Sequence, residues 1–458
     1  MPDASRYEVL IIGAGIAGIA CAHALVKAGT RRVAIADALA PLSLTSDKST
    51  ECYRNWWPGP GEAMVGLMNR SIDLMQDLAI DSNNAFIMDR RGYLFATARA
   101  EQVQVFESAA LEAQALGAGP LRVHRHAGGY RYPRLERYDD PLGGADLVLD
   151  RALIREHFGY LSNETLAVLH ARRCGALSAQ QLGMLLLERA RDAGARLERG
   201  QVTSIESRAG ALDGVWLSDL ESGEARFVGC DRLVIAAGPH ARATAGLAGL
   251  SLPIRCEKHV KLSLADVEGV LPRHAPLIIW TDPTELPWSE DERELLAQEP
   301  RLRYLLDTLP AGVHGRPVGA GEQILLYWTW HEELMDEPVF PIDWPDELAD
   351  VTLRGMSVMV PGLRAYFESM QRPYLDGGYY AKTPENRPLI GPTPVAGVYL
   401  CCAFSGFGIM AACGAGDLLA RHVHGAELPS YADAFVLSRY EREDYQRLLQ
   451  AWPASGQL

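Results

Sequence analysis

Three glycines in Gly13-Ala14-Gly15-Ile16-Ala17-Gly18 stand between an apolar run, Tyr7 to Ile12, and an apolar stretch that opens with Ile19-Ala20-Cys21. Glycines at this spacing let the chain turn tightly and bring bare backbone against a pyrophosphate. The positive end of the helix that follows then stabilises the pyrophosphate charge. A further apolar run, Val33-Ala34-Ile35-Ala36, ends in Asp37. It lies about 20 residues past the last glycine, where a dinucleotide fold places the carboxylate that accepts from a ribose 2′-OH. Gly13, Ala14, Gly15, Ile16, Ala17, Gly18 and Asp37 are therefore expected to hold a dinucleotide.

Side chains able to bind or orient a second molecule are sparser. Arg54 stands among Tyr53, Trp56 and Trp57. A guanidinium there can clamp a carboxylate with two parallel hydrogen bonds or stack on an indole ring as packing. Arg255-Cys256-Glu257-Lys258-His259-Val260-Lys261 reads as a strand whose alternation puts His259 and Lys261 on one face. That pair could supply positive charge at a site or simply meet solvent. The run Tyr327-Trp328-Thr329-Trp330-His331 alternates likewise. Tyr327, Thr329 and His331 go to one face, Trp328 and Trp330 to the other, so at most half of it lines one pocket.

The elements that must position these groups follow from hydrophobic periodicity. Residues 7–37 read strand, helix, strand. Residues 64–78 carry Met64, Leu67, Met68, Ile72 and Met75 along one helical face. Residues 92–95 read as a strand and 98–118 as a helix. Residues 119–150, rich in Arg, Tyr, Gly and Pro, read as a loop. A helix at 178–193, a strand pair at 202–206 and 211–217, and a buried strand at 231–238 follow. The last ends in small residues that a ligand can approach. Further strands are expected at 254–264, 276–281 and 324–330, and a helix at 346–359. Residues 285–321 read as a polar insertion with its own helix at 289–306.

A chain of 458 residues with 48% hydrophobic and 22% charged residues is globular and long enough for two associated domains. Its formal net charge of -14 argues against nucleic acid or an anionic membrane as the main partner. None of the eight cysteines forms a CxxC pair or stands at zinc-site spacing, so no metal is expected and a reducing cytoplasm fits. The first strand begins by Tyr7, which leaves no room for a signal peptide. No apolar run reaches the length of a membrane span.

Three later segments join the glycine motif. They are Leu233-Val234-Ile235-Ala236-Ala237-Gly238-Pro239-His240, Lys382-Thr383-Pro384-Glu385-Asn386-Arg387-Pro388-Leu389-Ile390-Gly391-Pro392, and Phe404-Ser405-Gly406-Phe407-Gly408-Ile409-Met410 with Gly414 and Gly416 beyond it. In order and spacing the four resemble the D-amino-acid oxidase, sarcosine oxidase and glycine oxidase superfamily. The likeness covers nearly the whole chain except residues 285–321. It implies an α/β fold: a Rossmann-like FAD-binding domain of glutathione-reductase type, with an inserted α+β substrate domain built on a mostly antiparallel sheet. The FAD-binding part is expected to comprise residues 1–95, 150–250 and 376–458. The substrate domain would comprise 96–149 and 251–375.

The resemblance assigns FAD to residues 13–18 and Asp37, and to Val202, Ala237 and Gly238. It also assigns Ser46, Lys48, Ser49 and Thr50, which occupy the stretch this superfamily runs beneath the flavin ring. Gly406, Phe407, Gly408, Ile409 and Met410 would lie beside the flavin, with Gly414 and Gly416 opening a helix toward its pyrimidine edge. Arg54 falls near an Arg that sarcosine oxidases use on the substrate carboxylate, and Tyr380 matches an active-site Tyr. Gly378 stands where some relatives carry a covalent flavin on Cys, so a non-covalent FAD is expected. Phe407 and Met410 replace a His and a carboxylate-holding Lys of sarcosine oxidases, so either Arg54 acts with another cation or the substrate is not a small amino acid; the aromatic run 327–331 favours a larger or aromatic one.

The implied activity is oxidation of a C–N bond in an amine or amino acid. Hydride passes to flavin N5, an imine forms, and O₂ or another acceptor reoxidises the flavin. Lys48, Lys258, Lys261 and His259 are candidates for the positive charge that helps O₂ react. Two alternatives stay open. One is a 2-hydroxyacid dehydrogenase with His259 or His331 as base. The other is a flavin-binding subunit without turnover of its own, with 285–321 as a docking surface.

Overall fold

A computed structural model describes residues 6–452 except 58, 127, 134–137, 209, 332 and 370–372. Among the described residues the strands form an eight-stranded sheet, a ten-stranded sheet and a two-stranded ribbon. The first sheet is parallel at its centre. Tyr7–Ile12 lies between Ala225–Ile235 and Val33–Asp37, and Val398–Cys402 extends the sheet beyond Ala225–Ile235. Register aligns Ile12 with Ala36 and Ile235, and Ile235 with Leu400. Four strands therefore end at one edge, where a doubly wound sheet binds its ligand.

The strands are near-continuous apolar runs because both of their faces are covered. Val9, Ile11 and Ile35 belong to one core, and Leu10, Ala34 and Leu233 to another. Helices Ile16–Lys27 and Gly408–His424 pack over the first face. A β-carbon on Gly416 would come 2.6 Å from the carbonyl oxygen of Ala20, and one on Gly414 2.8 Å from that of Leu67. These two glycines stand in mid-helix as contact points with neighbouring helices. The expectation that they open a helix is corrected: the helix starts at Gly408.

The second sheet is mostly antiparallel, with Leu277–Trp280 and Tyr93–Thr97 one of its parallel pairs. Its edge strand Leu121–His124 and the next strand, Ala145–Val148, lie in the stretch read as a loop. They are short and split by Gly and Pro, which hides their alternation. Residues 127 and 134–137 of that stretch lie outside the described residues. Tyr93–Thr97 and Ala167–Ala171 pair in this sheet, although the sequence partition assigns most of their residues to the FAD-binding part. Residues 285–321 are not wholly an insertion, because His314–Pro317 is an internal strand between Leu277–Trp280 and Gln323–Tyr327. Their helix is Glu290–Gln298, closed by a capping box from Ser289 and Glu292, and a separate short turn, Arg303–Leu306, follows.

One register row crosses this sheet through Phe95, Ile279, His314, Tyr327, Lys261 and Asp376. Glu257 pairs with Tyr380, and His259 with Gly378. Directly paired residues project to the same face. Phe95 and Ile279 on this face join the core that Val9 and Ile11 of the first sheet belong to, whereas Leu94, Ile278 and Leu326 on the other form a separate core. The polar row thus looks toward the first sheet. No helix among the described residues is long and apolar enough to cross a membrane.

Candidate active site

A cavity of about 590 Å³ opens where the parallel strands end. Gly13 turns there with φ 111°, and a β-carbon on it would lie 2.4 Å from the carbonyl oxygen of Ala236. Only glycine meets both demands. Ala14, Gly15, Ile16 and Ala17 line the cavity beside it. Gly18 does not; its missing side chain lets the helix approach the strand, since a β-carbon would fall 1.9 Å from the carbonyl oxygen of Gly13. Asp37 lines the cavity at the end of its strand and accepts from the backbone N–H of Ala14 at 2.6 Å. Val202, Ala237 and Gly238 complete this side.

The segment after residue 44 bridges the two sheets. Ser46 reaches the start of helix Ile16–Lys27, where its Oγ accepts from Ile16 N–H at 3.0 Å. Thr45 donates to the carbonyl of Tyr379 at 3.0 Å. Ser46 and Ser49 line the cavity; Lys48 and Thr50 are not among its lining residues. Lys48 turns instead to Asp376, 2.9 Å away. Burial opposes its charge, yet Asp376 and Asp47 outweigh that and raise its pKa. Thr50 faces the second sheet and accepts at its carbonyl from Arg316 at 2.6 Å. A side chain at Gly378 would press on Lys48 and on Thr45, whose Cα lies 3.2 Å from such a β-carbon.

At the far end the backbone is held in an unusual path. Ala403 and Ser405 take φ of 60° and 50°, left-handed values uncommon for residues with side chains and concentrated at functional sites. Gly406, Gly408 and Ile409 follow on the wall, so the free N–H groups of helix Gly408–His424 face the cavity. Phe407 and Met410 are not among the lining residues. Phe407 packs edge-on against Trp57 at 5.0 Å, and Met410 is buried in the core of the cofactor-type sheet. Helical direction sends them away from the wall that their neighbours form.

Of the expected substrate-site residues, only Tyr380 lines this cavity. Its ring stacks on His259, centroids 3.8 Å apart and planes at 24°. His259 also lies near-parallel to Tyr327, as Tyr327 does to His314. Four rings therefore stand side by side across the sheet. His259 is fixed at both nitrogens, by Glu257 at 2.6 Å and Thr329 at 2.9 Å. Glu257 also pairs with Lys382. Burial pushes the Glu257 carboxyl up, but His259 and Lys382 overcome this and hold it at about 2. Burial pushes the Tyr380 phenol up to about 12 and the His314 imidazole down to about 4. Both are thus neutral near pH 7.

Lys261 shares the face of His259 as expected, but donates to the carbonyl of Asp47 at 2.8 Å and is not among the lining residues. Burial lowers its pKa. Arg54 is buried, its guanidinium 4.5 Å from the ring centre of Trp57, which is the stacked arrangement. His331 is exposed. The alternation of residues 327–331 carries Tyr327 and Thr329 into the ring row, while Trp328 joins the opposite core. Sequence reasoning missed Glu257 as a partner of His259, although both stand in the strand it quoted. It also missed His314, whose only signal was one apolar residue, Val313, beside it.

A family model described as FAD dependent oxidoreductase matches residues 8–422. The chain belongs to this FAD-dependent oxidoreductase family. It is 25% identical over 261 residues to sarcosine oxidase subunit beta of Rhodobacter capsulatus, covering 54% of each protein. A second such subunit, from Rhizobium meliloti, is 25% identical over 58% of this chain and 57% of its own length. The match spans only about half the length of these curated relatives. Among solved structures, L-proline dehydrogenase from P. horikoshii superposes with a TM-score of 0.72 at 19% identity, over 96% of this chain and 98% of that one. Glycine oxidase from Geobacillus kaustophilus gives 0.71 at 18%, over 95% and 99%. These likenesses establish the fold.

The cavity of this FAD-dependent oxidoreductase family member fits the family's cofactor. A glycine turn that a β-carbon would fill, an acidic residue at the end of the second strand and two helix N-termini are the features that a dinucleotide with a pyrophosphate requires.

Proposed function

We propose that the protein oxidises the C–N bond of an amine or amino acid, secondary or bulky, with FAD. The observation that carries this reading is the wall around Tyr380: among the described residues that line the cavity none is Lys, Arg or Glu, and the one carboxylate, Asp37, stands at the glycine-turn end. Such a wall disfavours an ammonium ion and favours the neutral amine, the form that can give up a hydride from its α-carbon. When bound, FAD supplies the hydride acceptor. The chain's own part is to hold the amine, exclude water and keep the carbon in line, which the fixed ring of Tyr380 on the cavity wall does by restricting its orientations.

A 2-hydroxyacid substrate would need a base at the hydroxyl. His259 has Glu257 and Thr329 on its two nitrogens, and His331 is exposed, which speaks for the amine. The names of the two curated relatives, subunits of an oxidase, support a partner chain as a further part of this proposal, testable by light scattering on co-purified material.

The deciding experiment is an anaerobic titration of the purified holoprotein with N-methyl amino acids, D- and L-amino acids, arylalkylamines and 2-hydroxyacids. Bleaching of the flavin band by an amine, with recovery in air, is expected. Bleaching by hydroxyacids alone would overturn the reading. Peroxide on recovery would identify O₂ as acceptor.

A further inference from the structure

We infer that Tyr327 is a positioning residue that makes Tyr380 a one-way hydrogen-bond donor into the cavity, so that the bound ligand presents an acceptor atom there. The inference rests on the reading above in one point, that the cavity at Tyr380 receives the substrate.

The two hydroxyls are 3.1 Å apart, and either could donate. Their surroundings decide the direction. Tyr327 is 2% exposed, and its hydroxyl has Tyr380 as its hydrogen-bond partner. If Tyr380 donated, the Tyr327 proton would be buried with no acceptor among the described residues, the costly case. If Tyr327 donates, its own oxygen keeps spare lone pairs, which proteins tolerate more readily than an orphaned donor. The Tyr380 proton is then free, and Tyr380 is the member of the pair on the cavity wall.

Donation into the Tyr380 oxygen also polarises its O–H and strengthens the next bond in the chain. The ring cannot swing to escape this arrangement. It is stacked on His259, whose Nε2 and Nδ1 are engaged by Glu257 and Thr329. Register explains why these groups meet: Gln323–Tyr327 and Tyr374–Lys382 both pair with Arg255–Ala265, Tyr327 opposite Lys261 and Tyr380 opposite Glu257.

The test is a double-mutant cycle on the FAD-loaded protein, with benzamide as an aromatic probe whose carbonyl accepts a hydrogen bond. Affinity is read from the perturbation of the flavin absorbance, without turnover. Tyr380→Phe should weaken benzamide about tenfold and Tyr327→Phe about fivefold. The double variant should bind no worse than Tyr380→Phe, because Tyr327 acts only through Tyr380. Losses that multiply, no loss in Tyr327→Phe, or no spectral change in the wild type would each overturn the inference. A protein that passes this cycle yet is bleached by no amine would retain the Tyr327–Tyr380 relationship and lose the proposed reaction.

Discussion

A β-carbon on Gly18 would stand 1.9 Å from the carbonyl oxygen of Gly13. The first and last glycines of the motif are thus a contact pair: one bends the chain, and the other lets the helix close on that bend. Gly18→Ala should lower stability by about 1–3 kcal/mol through overpacking and yield protein with little flavin. Gly15→Ala meets only the Ser46 hydroxyl, at 3.3 Å, and should fold normally with weakened FAD. Thermal melts and the ratio of flavin to protein absorbance check both. Equal behaviour of the two variants would contradict the division of labour.

Lys48 serves the joint between the sheets through Asp376. Lys48→Met should therefore keep its FAD affinity within about twofold and lose at most about 1 kcal/mol, since a partly exposed pair is screened by solvent. Cofactor titration of the apoprotein is the check. Large loss of FAD binding would return Lys48 to the cofactor site.

Glu257 predicts a pH dependence. Its folded-state pKa of about 2 lies below the ordinary 4.5, so its contribution to stability is complete above pH 4.5 and is lost as pH falls toward 2. Glu257→Gln should be less stable than wild type near neutrality, by about 3 kcal/mol for a broken buried pair. The gap should close as pH falls through that window. Denaturant melts across the range measure it, and a constant gap would refute the assignment.

His170 works at higher pH. It is fully buried, bonds the carbonyl of Arg91 at 2.7 Å, and burial lowers its pKa from 6.5 to about 3. Between those values the unfolded chain binds a proton that the folded chain refuses, so stability falls with decreasing pH. His170→Gln should flatten this slope between pH 6.5 and 3, whatever it costs at neutrality. An unchanged slope would show that His170 is not its source.

Legibility in the sequence followed the range over which each interaction acts. The strand Tyr7–Ile12 and its glycine turn were readable because burial on both faces and a tight bend are imposed by neighbours in the chain. Gly414 and Gly416 were misplaced because a glycine at a helix start and one at a helix crossing look alike without the partner helix. Arg54 offered both a carboxylate clamp and an indole stack, and the sequence does not show that its guanidinium lies over Trp57. Lys48 could not be assigned from its neighbours because, besides the adjacent Asp47, its closer counter-ion is Asp376, on a distant strand. His314 escaped notice because its strand is short and enters the sheet from a polar segment.

The parallel sheet sets a timetable for synthesis. Tyr7–Ile12 is made well before the rest of the wall it helps to form, which also needs Val398–Cys402 and the helix that follows. Until those residues are made, the apolar sheet face they cover lacks its partner, the state in which large chains are prone to aggregate. The complete flavin wall waits for those residues, so supply of the cofactor should matter more to chains that carry them than to chains that do not yet.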